Sequence, residues 1–220
     1  IVIGIIFGMF SVSPYKSLRV ISEIFVDVIR GIPLMILAAF IFWGIPNFIE
    51  SITGQQSPIN DFVAGTIALS LNAAAYIAEI VRGGIFAVDK GQFEAAQAIG
   101  MTHTQTMMNV VFPQVIRNIL PATGNEFVIN IKDTSVLNVI SVSELYFATK
   151  TVAGANFRYF ETFFVTLILY FIMTTVLTQI LRYIERKMDG PDNYEVIYSD
   201  PLNSNSMSAV EEKTRQKGNA

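Results

Sequence analysis

Apolar residues in this chain gather into long runs, with polar stretches between them. A hydrocarbon core roughly 30 Å thick needs about 20 mostly apolar helical residues to cross it. The runs at 18–46, 61–83, 117–141 and 159–182 meet that length and predict four spanning helices. Residues 1–12 read as the back half of another, first in order, so five spans are expected. Pro33 lacks a backbone donor and kinks the second span. Pro46 and Asn47 end that span, and 47–60 reads as a short polar loop containing Gly54 and Pro58. Gly83 and Gly84 stop the third. The stretch 89–113 is a polar insertion, read as two short helices broken near Gly100, and 142–158 reads as a loop. Residues 189–220, rich in Asp, Glu, Ser and Asn, read as a solvated, partly disordered tail. The expectation is an all-α membrane protein with a transmembrane domain at 1–188 and a polar tail behind it.

Composition agrees with the pattern. With 52% hydrophobic and only 15% charged residues, the chain is too apolar for an ordinary soluble domain. A net charge of −3 does not suggest a nucleic-acid partner. The absence of cysteine excludes disulfides, thiolate metal sites and cysteine nucleophiles. Positive charge orients the spans. Lys16 and Arg19 precede the second span, Arg82, Lys90 and Arg117 flank the polar insertion, and Arg182, Arg186 and Lys187 follow the last span. The loop at 47–60 has neither Lys nor Arg. Lys150 and Arg158 weaken the contrast without reversing it. The expected topology has the N-terminus outside, with the polar insertion and the tail in the cytoplasm.

No phosphate-binding loop, zinc-protease helix or nucleophile elbow occurs. His103 is the only histidine and reads as a surface residue. Uphill transport by such a chain would draw its energy from a partner or an ion gradient.

The fourth span is unusually polar. Glu126, Asn130, Asp133 and Thr134 share one helical face. A charge at bilayer depth costs at least ~2.5 kcal/mol, so such groups pair or line a wet cavity. Two readings of Glu126 and Asp133 stand side by side: pathway lining, and a buried structural network. Lys132 points off that stripe and reads as structural, paired with an acid. In the third span, Glu79 and Arg82 have the spacing of an ion pair. Asn72 and Tyr76, deeper and uncharged, are candidates for contact with a polar solute. Ala73, Ala74, Ala75 and Ala78 allow another helix to approach closely, as does Gly4-x3-Gly8. In the polar insertion, Glu94 complements a helix dipole, Ala95 and Ala96 leave room for a partner's surface, and Gly100 permits a backbone reversal.

Glu94-Ala95-Ala96-x3-Gly100-x9-Val110-x-Phe112-Pro113 resembles the EAA loop of ABC-importer permeases, with Val and Phe at two positions where Ile and Leu are usual. Arg30-Gly31-Ile32-Pro33, Ala74 to Gly84, Gly124-Asn125-Glu126-Phe127 and Lys132-Asp133-Thr134-Ser135 resemble segments of the polar amino acid uptake permeases. The likeness covers about 18–187. It implies the type I importer permease fold, with five membrane helices and a coupling helix within 89–113. It further implies a second permease subunit, as homodimer or heterodimer, an external substrate-binding protein, and ATPase subunits that bind the ATP and Mg. No cofactor is implied in this chain. ATPase docking then falls to Gln92–Thr106, centred on Glu94, Ala95, Ala96 and Gly100. The substrate pathway falls to Asn72, Tyr76, Glu126 and Asp133. The setting implied is a bacterial cell membrane, with lipid around the helices. An ion-coupled carrier or channel is the alternative, opposed by the lack of an inverted second set of helices. A scaffold that recruits a partner through the loop is a further one.

Overall fold

A computed structural model of the chain describes residues 1–56 and 58–189, and these contain helices and no strands. The polar tail expected at 189–220 lies outside the described residues apart from Asp189.

The architecture centres on α5 (Asp61–Phe86), a helix of 26 residues. Asn60 starts it: its side-chain oxygen accepts the Phe62 amide at 2.8 Å, the usual N-cap arrangement. Along α5, Ala64, Ala68, Ala74, Ala75 and Ala78 are buried. Their small side chains let several helices come near at once, the packing device of membrane interiors.

The short apolar helix α1 (Val2–Ser11) lies against α5 through two glycines. A methyl group on Gly4 would come 2.7 Å from the Ala74 carbonyl oxygen, and one on Gly8 would come 2.6 Å from Val81 Cβ. Both approaches are closer than real Cβ atoms tolerate, so the Gly-x3-Gly spacing here sets a helix crossing. The amphipathic α2 (Lys16–Gly31) is tied to α1 by the Ser22 hydroxyl, which donates to the Phe7 carbonyl at 2.7 Å, and by the stacked rings of Phe7 and Phe25.

The second span differs from the expectation of 18–46. Pro33 separates two helices instead of kinking one. Ile32 is extended (φ −103°, ψ 126°), as the residue before a proline tends to be, and α3 (Leu34–Ala39) begins after it. Pro46 does not end the helix either. A π turn at Phe40–Gly44 leads into α4 (Ile45–Thr53), which stops at Gly54 in the left-handed region. The apolar stretch of membrane length is therefore Leu34–Thr53. The α2 segment ahead of it carries Lys16, Arg19, Glu23, Asp27 and Arg30, too many charges for a lipid-facing span.

Gly83 and Gly84 do not stop α5. A methyl group on Gly84 would collide with Ile119 Cγ2, and the Asn118 amide donates to the Gly84 carbonyl at 3.3 Å. That glycine serves the approach of α8 (Phe112–Asp133), which begins earlier than the expected Arg117. A 3-10 turn, Thr134–Ile140, continues α8 and buries Leu137 and Ile140 in a core shared with Leu37, Ala38, Ile41, Ala64, Ala68 and Ala75.

The expected loop at 142–158 contains a helix, α9 (Leu145–Asn156). Its cap is Glu144, whose carboxylate accepts the Tyr146 and Phe147 amides at 2.7 and 2.6 Å. Glutamate is not among the favoured N-cap residues, so the start left no recognisable trace in the sequence. The long α10 (Tyr159–Asp189) joins through two polar contacts: Thr149 with Thr166 at 2.6 Å, and the Tyr170 hydroxyl donating to Glu144 at 3.2 Å. Among the described residues, three helical stretches are long and apolar enough to cross a membrane: Leu34–Thr53, Asp61–Phe86 and Tyr159–Lys187. α1 is apolar but only 10 residues long, and α8 carries Arg117, Glu126, Lys132 and Asp133.

Candidate functional site

Two regions hold the residues singled out from the sequence. The first is the polar insertion. α6 (Lys90–Ala98) starts at Asp89, whose carboxylate accepts the Gly91 amide at 2.7 Å. Gly100 adopts φ +89°, where a side chain would be strained, and reverses the backbone. The short α7 (His103–Thr106) opens with a reciprocal cap. Gln105 accepts the Thr102 amide at 2.9 Å, and the Thr102 hydroxyl accepts the Gln105 amide at 3.4 Å. A π turn, Met107–Val111, then leads into α8 with Pro113 near its start. Both π turns among the described residues stand just ahead of a proline, Pro46 and Pro113. There a loosened ladder accommodates the missing donor and the bulk of the ring.

Glu94 is the fifth residue of α6, past its first turn, so the expected match to the helix dipole is not found. This geometry divides the four residues expected to dock. Glu94, Ala95 and Gly100 are exposed, whereas Ala96 is 5% exposed and packs inward. Ile99, next to Gly100, is 81% exposed and was not singled out from the sequence. An isoleucine held out beside a reversing glycine is an apolar knob suited to a partner's cleft. The signal for it is the Ile99-Gly100 pair, a large apolar residue directly before the reversing glycine. His103 stacks edge-on against Phe93 with centroids 5.4 Å apart, a surface contact.

The second region is assembled from three elements. Asn72 and Tyr76 of α5, Glu126 and Asp133 of α8, and the Arg30–Leu34 break between α2 and α3 line one cavity of about 280 Å³. Glu126 is 6% exposed, and the Asn130 amide donates to its carboxylate at 3.2 Å and to its carbonyl at 2.8 Å. Asn72 is also buried. All four pathway residues named from the sequence therefore meet in one place. Asn130 and Thr134, on the same helical stripe, face instead a larger, mostly apolar cavity of about 600 Å³ bounded by α1, α5 and α8, which Glu126 also reaches.

Glu79 holds Arg82 with both carboxylate oxygens, at 3.0 and 2.8 Å. Lys132 is exposed and, among the described residues, has no acid within ion-pair distance, so the acid partner expected for it is not found. Arg30 was read only as part of a resemblance motif. Its guanidinium lies 5.0 Å from the centre of the Tyr76 ring and 3.7 Å from Glu79. No sequence rule brings residues 30 and 76 together; the packing of α2 on α5 does.

A bundle of apolar helices, with polar groups of α5, α8 and the α2–α3 break lining one cavity and a capped polar loop beyond it, fits a membrane transport subunit. The chain belongs to the family of binding-protein-dependent transport system inner membrane components, whose model matches residues 1–190. It is similar to the arginine transport system permease protein ArtQ of Bacillus subtilis (strain 168), 32% identical over 192 residues, covering 87% of this chain and 85% of that one. It is also similar to the glutamine transport system permease protein GlnP of Escherichia coli (strain K12), 36% identical over 168 residues and covering 76% and 74%. Among solved structures, a chain of an amino acid ABC transporter crystallised with histidines matches with a TM-score of 0.76 and 37% identity over 84% of each chain.

Proposed function

We propose that this chain is the membrane permease subunit of an ATP-driven importer of polar amino acids. The observation that carries the reading is the meeting of Asn72, Tyr76, Glu126 and Asp133 in one cavity of about 280 Å³. A zwitterionic solute needs an acid near its ammonium group and donors near its carboxylate. Glu126 and Asp133 supply the acid, while Asn72, Tyr76 and Arg30 supply donors. That volume lies near the lower end of the roughly 300–1,000 Å³ usual for ligand pockets, as suits a small solute. Amino acid permeases among the relatives and an amino acid transporter among the solved structures support the substrate class. They favour ATP-driven import over the ion-coupled carrier.

In this reading the chain pairs with a second permease subunit and receives solute from an external binding protein. It binds no nucleotide itself; ATP and Mg belong to the ATPase subunits. Those subunits engage the segment Gln92–Thr106, with Glu94, Ala95 and Ile99 presented outward and Ala96 holding the segment to the body. Five membrane passes are counted as α1, α3–α4, α5, α8 and α10. Basic residues flanking the insertion and following α10 support a cytoplasmic side for both.

The test is reconstitution of the assembled transporter in proteoliposomes with its binding protein. ATP-dependent uptake of a polar amino acid is the expected result. Uptake driven by an ion gradient with no ATPase present would instead establish the ion-coupled carrier.

A further inference from the structure

A second polar cavity, about 420 Å³, lies beside the substrate cavity. Its charged lining is Arg19, Glu23, Asp27 and Arg30 from α2 with Glu79 and Arg82 from α5, three acids against three bases. Such matched charge suits a zwitterion better than an ion of either sign. The two cavities are ordered along α5. Asn72 and Tyr76 line the substrate cavity, Glu79, Arg82 and Phe86 line the charged one, and the helix then ends and leads into the docking segment. The charged cavity therefore lies toward the end of α5 where the ATPase is proposed to bind. Among the described residues, Arg30 alone lines both cavities.

Arg30 is also held in a divided way. One side of its guanidinium faces the Tyr76 ring at 5.0 Å. Glu79 stands at 3.7 Å, beyond hydrogen-bond length, because both oxygens of that carboxylate are committed to Arg82. The Arg30 fork, which matches a carboxylate in two parallel hydrogen bonds, is thus left without a strong protein partner at the boundary between the cavities. The side chain is 41% exposed, as expected for the wall of a wet passage.

We propose that Arg30 is the gate between the two cavities, taking the carboxylate of a zwitterionic solute that leaves the substrate cavity and passing it into the charged one. Glu79 is the competing carboxylate that draws Arg30 away and releases the solute. Arg30 therefore positions the solute and times its exit. The proposal rests on the transport reading above.

The test uses the assembled transporter in proteoliposomes, with solute uptake and ATP hydrolysis measured together. If the wild-type assembly carries no polar amino acid on ATP, the transport reading fails before the gate is reached. Given wild-type transport, Arg30→Gln should lower solute carried per ATP about tenfold, the scale of one lost charge-assisted hydrogen bond, while hydrolysis persists. Arg30→Lys keeps the charge but not the fork and should recover part of that ratio. Glu79→Gln should slow uptake while keeping the ratio, since it removes the competitor and not the gate. A wild-type ratio in Arg30→Gln would overturn the proposal. So would a parallel loss of uptake, hydrolysis and thermal midpoint in all three variants, because the pair would then be only structural.

Discussion

The proposed docking segment and the proposed substrate cavity are built on opposite principles. Asp89, Gly100 and the Thr102–Gln105 cap act within a few residues of themselves, so the shape of α6 and α7 is encoded locally. The cavity borrows residues from positions 30, 72, 76, 126 and 133, and no short stretch of chain contains it. A locally encoded surface keeps its form while the body behind it moves, which suits a part that must stay in a partner's grip. An assembled cavity changes whenever its helices shift, which suits a part that must bind and release.

That contrast can be broken from either side. The largest effect is expected in the cavity. Replacing Glu126 with Gln and Asp133 with Asn together should lower uptake about a hundredfold or more, given roughly 1.5–3 kcal/mol for each charged hydrogen bond lost. Co-purification with the ATPase should be unaffected; loss of the ATPase in that variant would show that cavity and docking segment are not separable. Next in size is Glu94→Lys, which reverses an exposed charge in the middle of α6. It should reduce uptake about tenfold or more by opposing the partner's surface. Solute binding to the solubilised complex should stay at the wild-type level.

Smaller effects sharpen the contrast in stability. Gly8→Leu forces a side chain between α1 and Val81 and should cost about 1–3 kcal/mol, read as a lower thermal midpoint with weaker solute binding. Thr102→Ala removes one cap and should cost about 1 kcal/mol. Hydrogen exchange should then quicken at the amides of 103–106 and nowhere in α5 or α8. Faster exchange spreading into those helices would deny the segment its independence.

Legibility in the sequence follows the same division. Glu94, Ala95, Ala96 and Gly100 stood out because the motif is contiguous, and the polar stripe of α8 stood out because helical spacing alone puts Glu126 and Asp133 on one side. Asn72 and Tyr76 were visible as deep polar residues on an otherwise small-residue helix. What escaped depended on contact between distant segments. Gly84 reads as a stop signal until Ile119 is seen against it. Pro46 reads as a terminator until the π turn before it is known. The start of α9 rests on a carboxylate cap at Glu144, which no propensity scale would nominate. Arg30 lay inside a motif, but its place between two cavities arises only from the packing of α2 on α5.

The length of α10 has a consequence for how the subunit is held in its bilayer. At about 1.5 Å per residue, its 31 residues span roughly 46 Å, against a hydrocarbon thickness near 30 Å. Tilt absorbs some of the surplus, but a helix tilted by the usual ~20° still overreaches by about two and a half turns. The overreach falls where the apolar run gives way to Arg182, Tyr183, Arg186 and Lys187. In a bilayer of that thickness those turns would reach the lipid headgroups, where an aromatic ring and long cationic side chains are favoured. Polar ties from α10 to the bundle run through Thr166 and Tyr170, well before this end. Headgroup phosphates would then steady the far turns of α10, and thinning or thickening the bilayer would move that end more readily than the cavity.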